Sequence, residues 1–475
     1  MGKLGMGFNF HSVDRDQAML LPVSMRDWLP DDHLVWFVLD AVERVDMTHF
    51  SKAYRRDGRG GRAHGPHTMV ALLLYAYTQS VFSSRQIEKR CVEDVAFRVI
   101  CGAQAPDHTT IARFRSRHET ALREVFIASL VLCAHVGLAT VGTVALDGTK
   151  IKAQASGHAT VNEERLAQKA AEWGINTVAL DAITEGVETQ VDALLVQAQN
   201  ADTTERDHDD HNPGVLRGRA DREARFDQAK KLIAAKKQRD FDEYEAKLTA
   251  RKEREAATGR AAGGRVKHPL ERKNPPKYKA NLSDPDSSPM KVVQGFVQGY
   301  NAQAWANTDQ VILSVDVVTQ GHDAYLLAPM LDRLHSDLAA AGITDTPRVL
   351  LADAGYCMEK DLALAARTYP AVDVFVSATT GREPSIASRG PIPRHASLVQ
   401  RMRRKVGTKS GREQYRKRRW MIEPVFARIK HNAGFTRFSR RGLTAVTSEF
   451  QLLAAAQNIK TAFKQHLAKR SPATA

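Results

Sequence analysis

Cysteine is scarce in this chain. Cys91, Cys101, Cys133 and Cys357 are the only four among 475 residues, too far apart for a zinc pattern and too few for a disulfide framework, so they read as reduced, ordinary residues. Long apolar runs are missing too. The longest, Met69–Tyr77 and Phe126–Leu138 with one His inside it, fall short of the roughly 18 to 20 residues that a membrane-spanning helix needs. The opening stretch, MGKLGMGFNFHSVDRDQAML, has neither the basic start nor the apolar core of a secretory signal. The expectation is a cytoplasmic protein with no membrane partner.

What the chain does have is positive charge, a formal +15 with a pI near 9.6. Neutralising phosphates releases counterions and drives binding, so the charge points to a polyanion, without separating DNA from RNA or an anionic membrane. The charge is also local: between Gln400 and Ala445 stand fifteen Lys or Arg and only two acids, Glu413 and Glu423. A solvated basic segment is one reading of such a run. Against it, Met421, Ile422, Val425, Phe426 and Ile429 recur at helical spacing, which gives the segment a core-facing side.

With 43% hydrophobic residues, a chain of this length can build roughly two to four domains. Residues 1–140 read as a helical domain, with apolar periodicity in HLVWFVLDAVERV and TMVALLLYAYTQSVF, a possible capping box Ser83…Gln86, and a long helix near Glu119–Gly137. Within it PDHTTIARFRSRH places Asp107 and Thr109 as cap formers before a helix carrying Arg113, Arg115 and Arg117, which could enter a major groove or simply form a basic surface. From Val141 the texture changes to TVALD, FVQGYNAQAW, QVILSVDVV, RVLLAD and VDVFVSA, with helices PMLDRLHSDLAA and MEKDLALAART around RVLLAD. That order is an α/β layer with a mixed sheet. Roughly 130 residues interrupt it, too many for an ordinary loop. In the interruption, 160–198 and 219–257 read as helices joined by DHDDHNPG, either a helical hairpin or a flexible charged spacer.

Two strand-like runs end in carboxylates, Asp147 after TVAL and Asp353 after RVLLA. A carboxylate at the end of a buried strand is desolvated unless a cation meets it, and a divalent ion is the usual way to keep two neighbouring carboxylates ionised. The third acid, Glu423, lies in the basic segment. On an uninterrupted α-helix, Arg416, Arg419, Glu423 and Lys430 fall on one stripe, a face suited to metal with phosphate beside it or, more simply, to a surface ion-pair ladder.

At this point the residues resemble the DDE transposases of bacterial insertion sequences, most closely the insertion sequence 1182 group within the broader 4 and 5 superfamilies. The resemblance rests on PDHTTIARFR, ALDGTK, NLSDPDSSPM, GYNAQ, LLADAGY and IEPVFARIKHNAGFTRFSRRG, and covers nearly the whole chain. It implies a ribonuclease H-like α/β catalytic core (mixed sheet) over 141–157 and 281–465, an all-helical N-terminal DNA-binding domain over 1–140, a charged helical insertion over 158–280 and a flexible tail over 466–475. Asp147, Asp353 and Glu423 are then the catalytic, metal-holding residues. The family's signature around the Glu is Tyr, two residues, Arg, three residues, Glu, six residues, Lys. Arg419, Glu423 and Lys430 fit it, whereas Tyr415 stands one position early and turns about 100° from the stripe.

The chemistry expected from the resemblance is two-metal-ion cleavage and strand transfer on double-stranded DNA, at terminal inverted repeats and in target DNA, using Mg²⁺ or in its place Mn²⁺. Arg419 and Lys430 would meet the scissile phosphate, Arg437, Arg440 and Arg441 the flanking backbone, Arg416 a further DNA phosphate, and Arg113, Arg115 and Arg117 the transposon ends. Pairing two ends implies a homodimer or larger assembly on DNA, in the bacterial cytoplasm at the nucleoid. His322, in TQGHDAY, is either a further active-site group or a helix cap. Two rivals remain: a ribonuclease H-like nuclease that does not join strands, and a helix-turn-helix regulator without catalysis. A tyrosine recombinase is disfavoured because it needs a covalent phosphotyrosine.

Overall fold

The computed structural model describes residues 24–54, 61–173, 219–259, 266–271, 278–293, 295–378 and 390–470, besides 10, 11, 13 and 261. The chain divides into two compact units, Met1–Ile151 with Tyr300–Ala475, and Lys152–Gly299.

In the first unit the sheet is built on strands with apolar residues in unbroken runs. Val144, Ala145 and Leu146 of β1 (Thr143–Lys152) and Leu350, Leu351 and Ala352 of β7 (Val349–Ala352) are all fully buried, the pattern of parallel strands covered on both faces. β1 pairs with β7 in parallel, with Leu146 opposite Ala352. β7 pairs in parallel with β8 (Asp373–Val376). On the other side of β1 lies β5 (Gly295–Asn307), which pairs antiparallel with β6 (Ile312–Val318). The mixed sheet expected from the sequence is thus present. Helices α9 (Leu327–Ala340) and α10 (Glu359–Thr368) follow β6 and β7, making the connections that parallel strands require.

The helical elements before β1 belong to the same unit. α2 (Pro66–Thr78) is buried on every side, which explains its nearly unbroken apolar sequence. α6 (Leu122–His135) packs against α14 (Leu443–Arg470), which also covers β6. Asp107 caps α5 (His108–Arg117) as expected, its carboxylate accepting from the Thr110 N–H at 2.9 Å. The Ser83…Gln86 box does not form: Ser83 takes the N-cap position of α3 (Ser84–Glu93) without a side-chain cap hydrogen bond. A capping box does form at Ser397 and Gln400, opening α11 (Leu398–Gly407).

In the second unit, α7 (Glu163–Trp173) and the 40-residue α8 (Arg219–Thr258) are the described helices of the insertion. Leu166 and Ala170 of α7 meet Phe226, Ala229 and Ile233 of α8, closed by Val161, Ala280 and Leu282 of the short strands β2 (Thr160–Asn162) and β3 (Lys279–Asn281) and the residue that follows. Beyond Ile233, α8 carries i,i+4 pairs such as Glu243 with Lys247 at 2.5 Å and Arg251 with Glu255 at 3.0 Å. The helical readings of 174–198 and the DHDDHNPG linker lie outside the described residues. β4 (Ser288–Val292) pairs antiparallel with the start of β5. No helix among the described residues is long and apolar enough to cross a membrane.

One helical-region residue makes this fold sensitive to acid. His118 is 2% exposed, ringed by Phe50, Phe114 and Tyr54, and burial followed by the Arg117 charge pushes its pKa down to about 4 from 6.5. A depressed histidine binds its proton more readily in the unfolded chain, so stability falls as the pH drops from about 6.5 to about 4. Thermal melts should therefore show His118→Phe losing less stability than the parent across that window. Equal losses would contradict this assignment.

Candidate active site

Asp147 and Asp353 are the next residues after the Leu146–Ala352 pair on adjacent parallel strands, so the register delivers two carboxylates side by side. The Asp353 side chain accepts from the Gly355 N–H at 2.8 Å and caps the 3-10 turn Ala354–Tyr356. Asp147 accepts from the Gly148 N–H at 2.9 Å. Burial, with a smaller push from Asp353 and Asp323 and a counter-pull from Arg418, raises the Asp147 pKa to about 6.

The counter-pull comes from α12 (Lys409–Met421). Arg418 Nη2 lies 2.8 Å from Asp147 Oδ2, and Nη1 lies 3.9 Å from Glu423 Oε1. Its side chain is only 12% exposed. Burial alone would lower the Arg418 pKa, but Asp147, Tyr415, Asp353 and Glu423 together hold it above its ordinary value. One guanidinium therefore serves two of the three expected catalytic acids. Glu423 is half exposed and is also 3.8 Å from Arg419 Nε, whose side chain is 86% exposed.

The helix here is not the uninterrupted one assumed from the sequence. α12 stops at Met421, α13 (Glu423–Ala427) begins with Glu423 and Pro424, and Arg428–Asn432 form a π-helical turn in which the Ala433 N–H reaches the Arg428 carbonyl at 2.9 Å. Proline lacks the N–H and crowds the preceding turn, and a π turn takes up one residue more than an α turn. The stripe of Arg416, Arg419, Glu423 and Lys430 is accordingly interrupted between Glu423 and Lys430, while Arg419 keeps its i,i+4 pair with Glu423. Arg416 is exposed. Tyr415 does not turn away: its phenol hydrogen-bonds Ser377 and senses Asp353 and Asp147, and burial raises its pKa. Tyr415, two residues and Arg418 match the start of the signature, and the extra residue lies between Arg418 and Glu423, where the helix is interrupted. Lys430, half-buried in the π turn, donates to the Lys150 carbonyl of β1 at 2.8 Å, and burial, then Lys150, lowers its pKa.

Two of the residues expected at DNA bind protein acceptors. The Arg440 side chain is 8% exposed, ion-paired with Glu119 and hydrogen-bonded to Ser448 at 3.0 Å and Ser116 at 3.1 Å. Arg115 is buried, donating to the Tyr77 hydroxyl at 3.2 Å and the Phe82 carbonyl at 2.9 Å. In both the guanidinium is largely buried and paired within the protein, since an unpaired buried cation would be costly. Arg113, Arg117 and Arg437 are exposed, and Arg441 is partly buried. His322 is exposed, and its backbone carbonyl accepts from Gln320.

Asp147, Asp353 and Glu423 form an all-oxygen, hard donor set, which suits Mg²⁺ or Mn²⁺ better than zinc or copper. No three His, Cys, Asp or Glu among the described residues are gathered tightly enough to hold one ion. Asp147 and Asp353 are in place, while Arg418 occupies the approach between Asp147 and Glu423. The donor chemistry fits, and the Arg418 guanidinium stands beside both Asp147 and Glu423.

Removing Arg440 should act on stability and removing Arg437 on DNA. Arg440→Ala is expected to cost about 3 kcal/mol in denaturant unfolding, as for other broken buried pairs, whereas Arg437→Ala should weaken DNA binding in a salt-dependent way at unchanged stability. The reverse pattern would restore Arg440 as a DNA contact.

Two family models match the chain. Residues 23–117 match the Transposase domain (DUF772). Residues 272–459, which include Asp353, Arg418, Glu423 and Lys430, match the Transposase DDE domain. Neither a curated protein nor a solved structure matches the chain. The DDE domain implies a ribonuclease H-like fold, with which the mixed sheet is consistent, and a DNA substrate; its family usually uses divalent metals. The two matches support an insertion-sequence DDE transposase.

Proposed function

We propose that this chain is a transposase of the insertion sequence 1182 group that cuts DNA at terminal inverted repeats and joins the freed ends to target DNA, with Asp147, Asp353 and Glu423 as its catalytic carboxylates. The observation that carries the reading is the register of β1 and β7, which sets Asp147 beside Asp353 at the end of two buried strands, with Arg418 on hand as a cation.

In this reading Asp147, Asp353 and Glu423 would hold two divalent ions, Mg²⁺ or Mn²⁺, which when bound would supply the charge stabilisation for an in-line displacement. Water attacks phosphorus at the transposon end, losing a proton to solvent, and the 3′-oxygen leaves as the terminal hydroxyl. That hydroxyl then attacks a target phosphodiester, displacing a new 3′-oxygen, so the count of phosphodiester bonds is unchanged in the joining step. Arg418 keeps the buried Asp147 ionised while DNA is absent. It can turn from the carboxylates to a phosphate when one arrives, since a planar guanidinium serves either oxyanion. Exposed Arg419, Arg416 and Arg437 meet the backbone, and Lys430, anchored to β1, faces the scissile group. The helices of 1–140, through exposed Arg113 and Arg117, recognise the ends, and two protomers pair them.

Cleavage of an inverted-repeat duplex tests this. Asp147→Asn, Asp353→Asn and Glu423→Gln should each lower Mg²⁺-dependent cleavage by at least about a hundredfold, the scale of losing one preorganised transition-state contact, and chelation should abolish it. Joined products in the same reaction separate a transposase from a nuclease. Undiminished cleavage in any of the three variants would sink the assignment.

A further inference from the structure

Behind the two strand-end aspartates lies a polar network that the catalytic reading does not use. Asn301, Gln303 and Trp305 alternate along β5 and so share one face of the sheet, the face on which α9 docks through the Trp305 indole N–H and the Met330 carbonyl at 2.8 Å. Asn301 and Gln303 are fully buried. The Tyr356 hydroxyl donates to Gln303 Oε1, which fixes the Gln303 amide with its nitrogen toward Asp323. Gln303 Nε2 then donates to Asp323 Oδ1 at 3.0 Å, and Asn301 Nδ2 donates to the same oxygen at 2.8 Å. The donors all run one way and end on one carboxylate.

That carboxylate sits against the two residues that shape the catalytic pair. A methyl group at Gly148, next to Asp147, would overlap the Gln303 amide and stand 2.8 Å from Asp323 Oδ1 and 3.0 Å from Asn301 Oδ1. A methyl group at Gly355, whose N–H binds Asp353, would stand 3.0 Å from Asp323 Oδ2, 3.1 Å from its Cβ and 3.1 Å from Asp353 Oδ1. Asp323 thus fills the space that both glycines leave. Buried Asn301 Oδ1 has no hydrogen-bond partner among the described residues, consistent with its amide being oriented toward Asp323. The loop that carries Asp323, between β6 and α9, is itself held in place against strain: Tyr325, two residues on, has φ +67°. Strain of this kind persists where surrounding structure over-determines a conformation, often beside a working site.

We propose that Asp323 is a positioning residue for the Asp147–Asp353 pair: by gathering Asn301 and Gln303 and packing against Gly148 and Gly355, it sets the separation at which the two carboxylates share a divalent cation. The inference rests on reading that pair as the metal-holding one. It also gives a reason for the glycines of ALDGTK and LLADAGY, since a side chain at Gly148 would run into Gln303 and Asp323 and one at Gly355 would press on Asp323 and Asp353.

Mn²⁺ binding to the full-length protein, followed by the electron paramagnetic resonance of the free ion, tests the role apart from catalysis. Asp323→Ala should weaken Mn²⁺ binding by about tenfold or more, as when a metal ligand loses its supporting hydrogen bonds. Asp323→Asn, which keeps an oxygen able to accept from both amides, should recover most of it. Asp323→Glu, which keeps the carboxylate but sets it one methylene out of place, should weaken binding like Asp323→Ala and decides the matter if Asp323→Ala does not fold. In all three, the Mg²⁺ concentration for half-maximal cleavage should shift in step, with inverted-repeat affinity unchanged. Parent-like Mn²⁺ binding in Asp323→Ala or Asp323→Glu overturns the proposal, as does an Asp323→Asn no better than Asp323→Ala. Asp353→Ala serves as the control: if it binds Mn²⁺ like the parent, the metal reading and this proposal fall together, whereas its loss of binding beside an unaffected Asp323→Ala rejects the positioning role alone.

Discussion

The alignment of β1 with β7 is the constraint on which the site depends. Leu146 faces Ala352 in a parallel ladder, and adjacent strands lie about 4.8 Å apart. The residues that follow are therefore held close whatever their charge. A slip by one residue would turn one carboxylate to the opposite face, and it would also carry the fully buried Val144, Ala145, Leu146, Leu350, Leu351 and Ala352 out of their places. Hydrophobic burial in the strands thus enforces an electrostatically unfavourable juxtaposition at their ends. Arg418 relieves it in the protein alone, and its position between Asp147 and Glu423 follows from that need for a cation.

Burial also divides the basic residues by role. Arg115, Arg418 and Arg440 are drawn in by acceptors of the protein itself, while Arg113, Arg117, Arg416, Arg419 and Arg437 remain at the surface. The strong local charge of residues 400–445 is therefore a mixture: part of it stitches the helices together and part is free to meet phosphate. Arg440 joins the start of α14 to Glu119 and Ser116 of the helical region before β1, so the same segment that carries the candidate DNA contacts also helps hold its own unit together.

Much of this was legible in the sequence. Unbroken apolar runs marked the strands, and the acids at their ends marked Asp147 and Asp353. The interruption of the α/β layer by a charged helical segment was visible from composition. The misreadings have identifiable causes. Reading 416–430 as one continuous α-helix ignores the break between Glu423 and Lys430 and turns Tyr415 away, although Pro424 signals a helix boundary and the spacing of Tyr415 to Arg418 is itself a match; Arg419 does lie beside Glu423. Arg115 follows Phe114 and lies four residues after Ile111, both buried, so helical periodicity already placed it toward the core. Asp323 carried no such signal. It lies in a turn without periodicity, and its partners Asn301 and Gln303 are brought to it only by the strand that precedes β6. Gly148 and Gly355 hinted at a close approach without naming what approached.

The central claim is that Asp147 and Asp353 hold the divalent ion together. Anomalous diffraction from crystals of the protein with Mn²⁺ and inverted-repeat DNA, at a pH well above the value near 6 at which Asp147 titrates, tests it most directly. A manganese peak is expected between the Asp147 and Asp353 carboxylates, with Arg418 turned toward DNA phosphate. A peak coordinated without Asp353, or a guanidinium still paired with Asp147 beside bound metal, would contradict it.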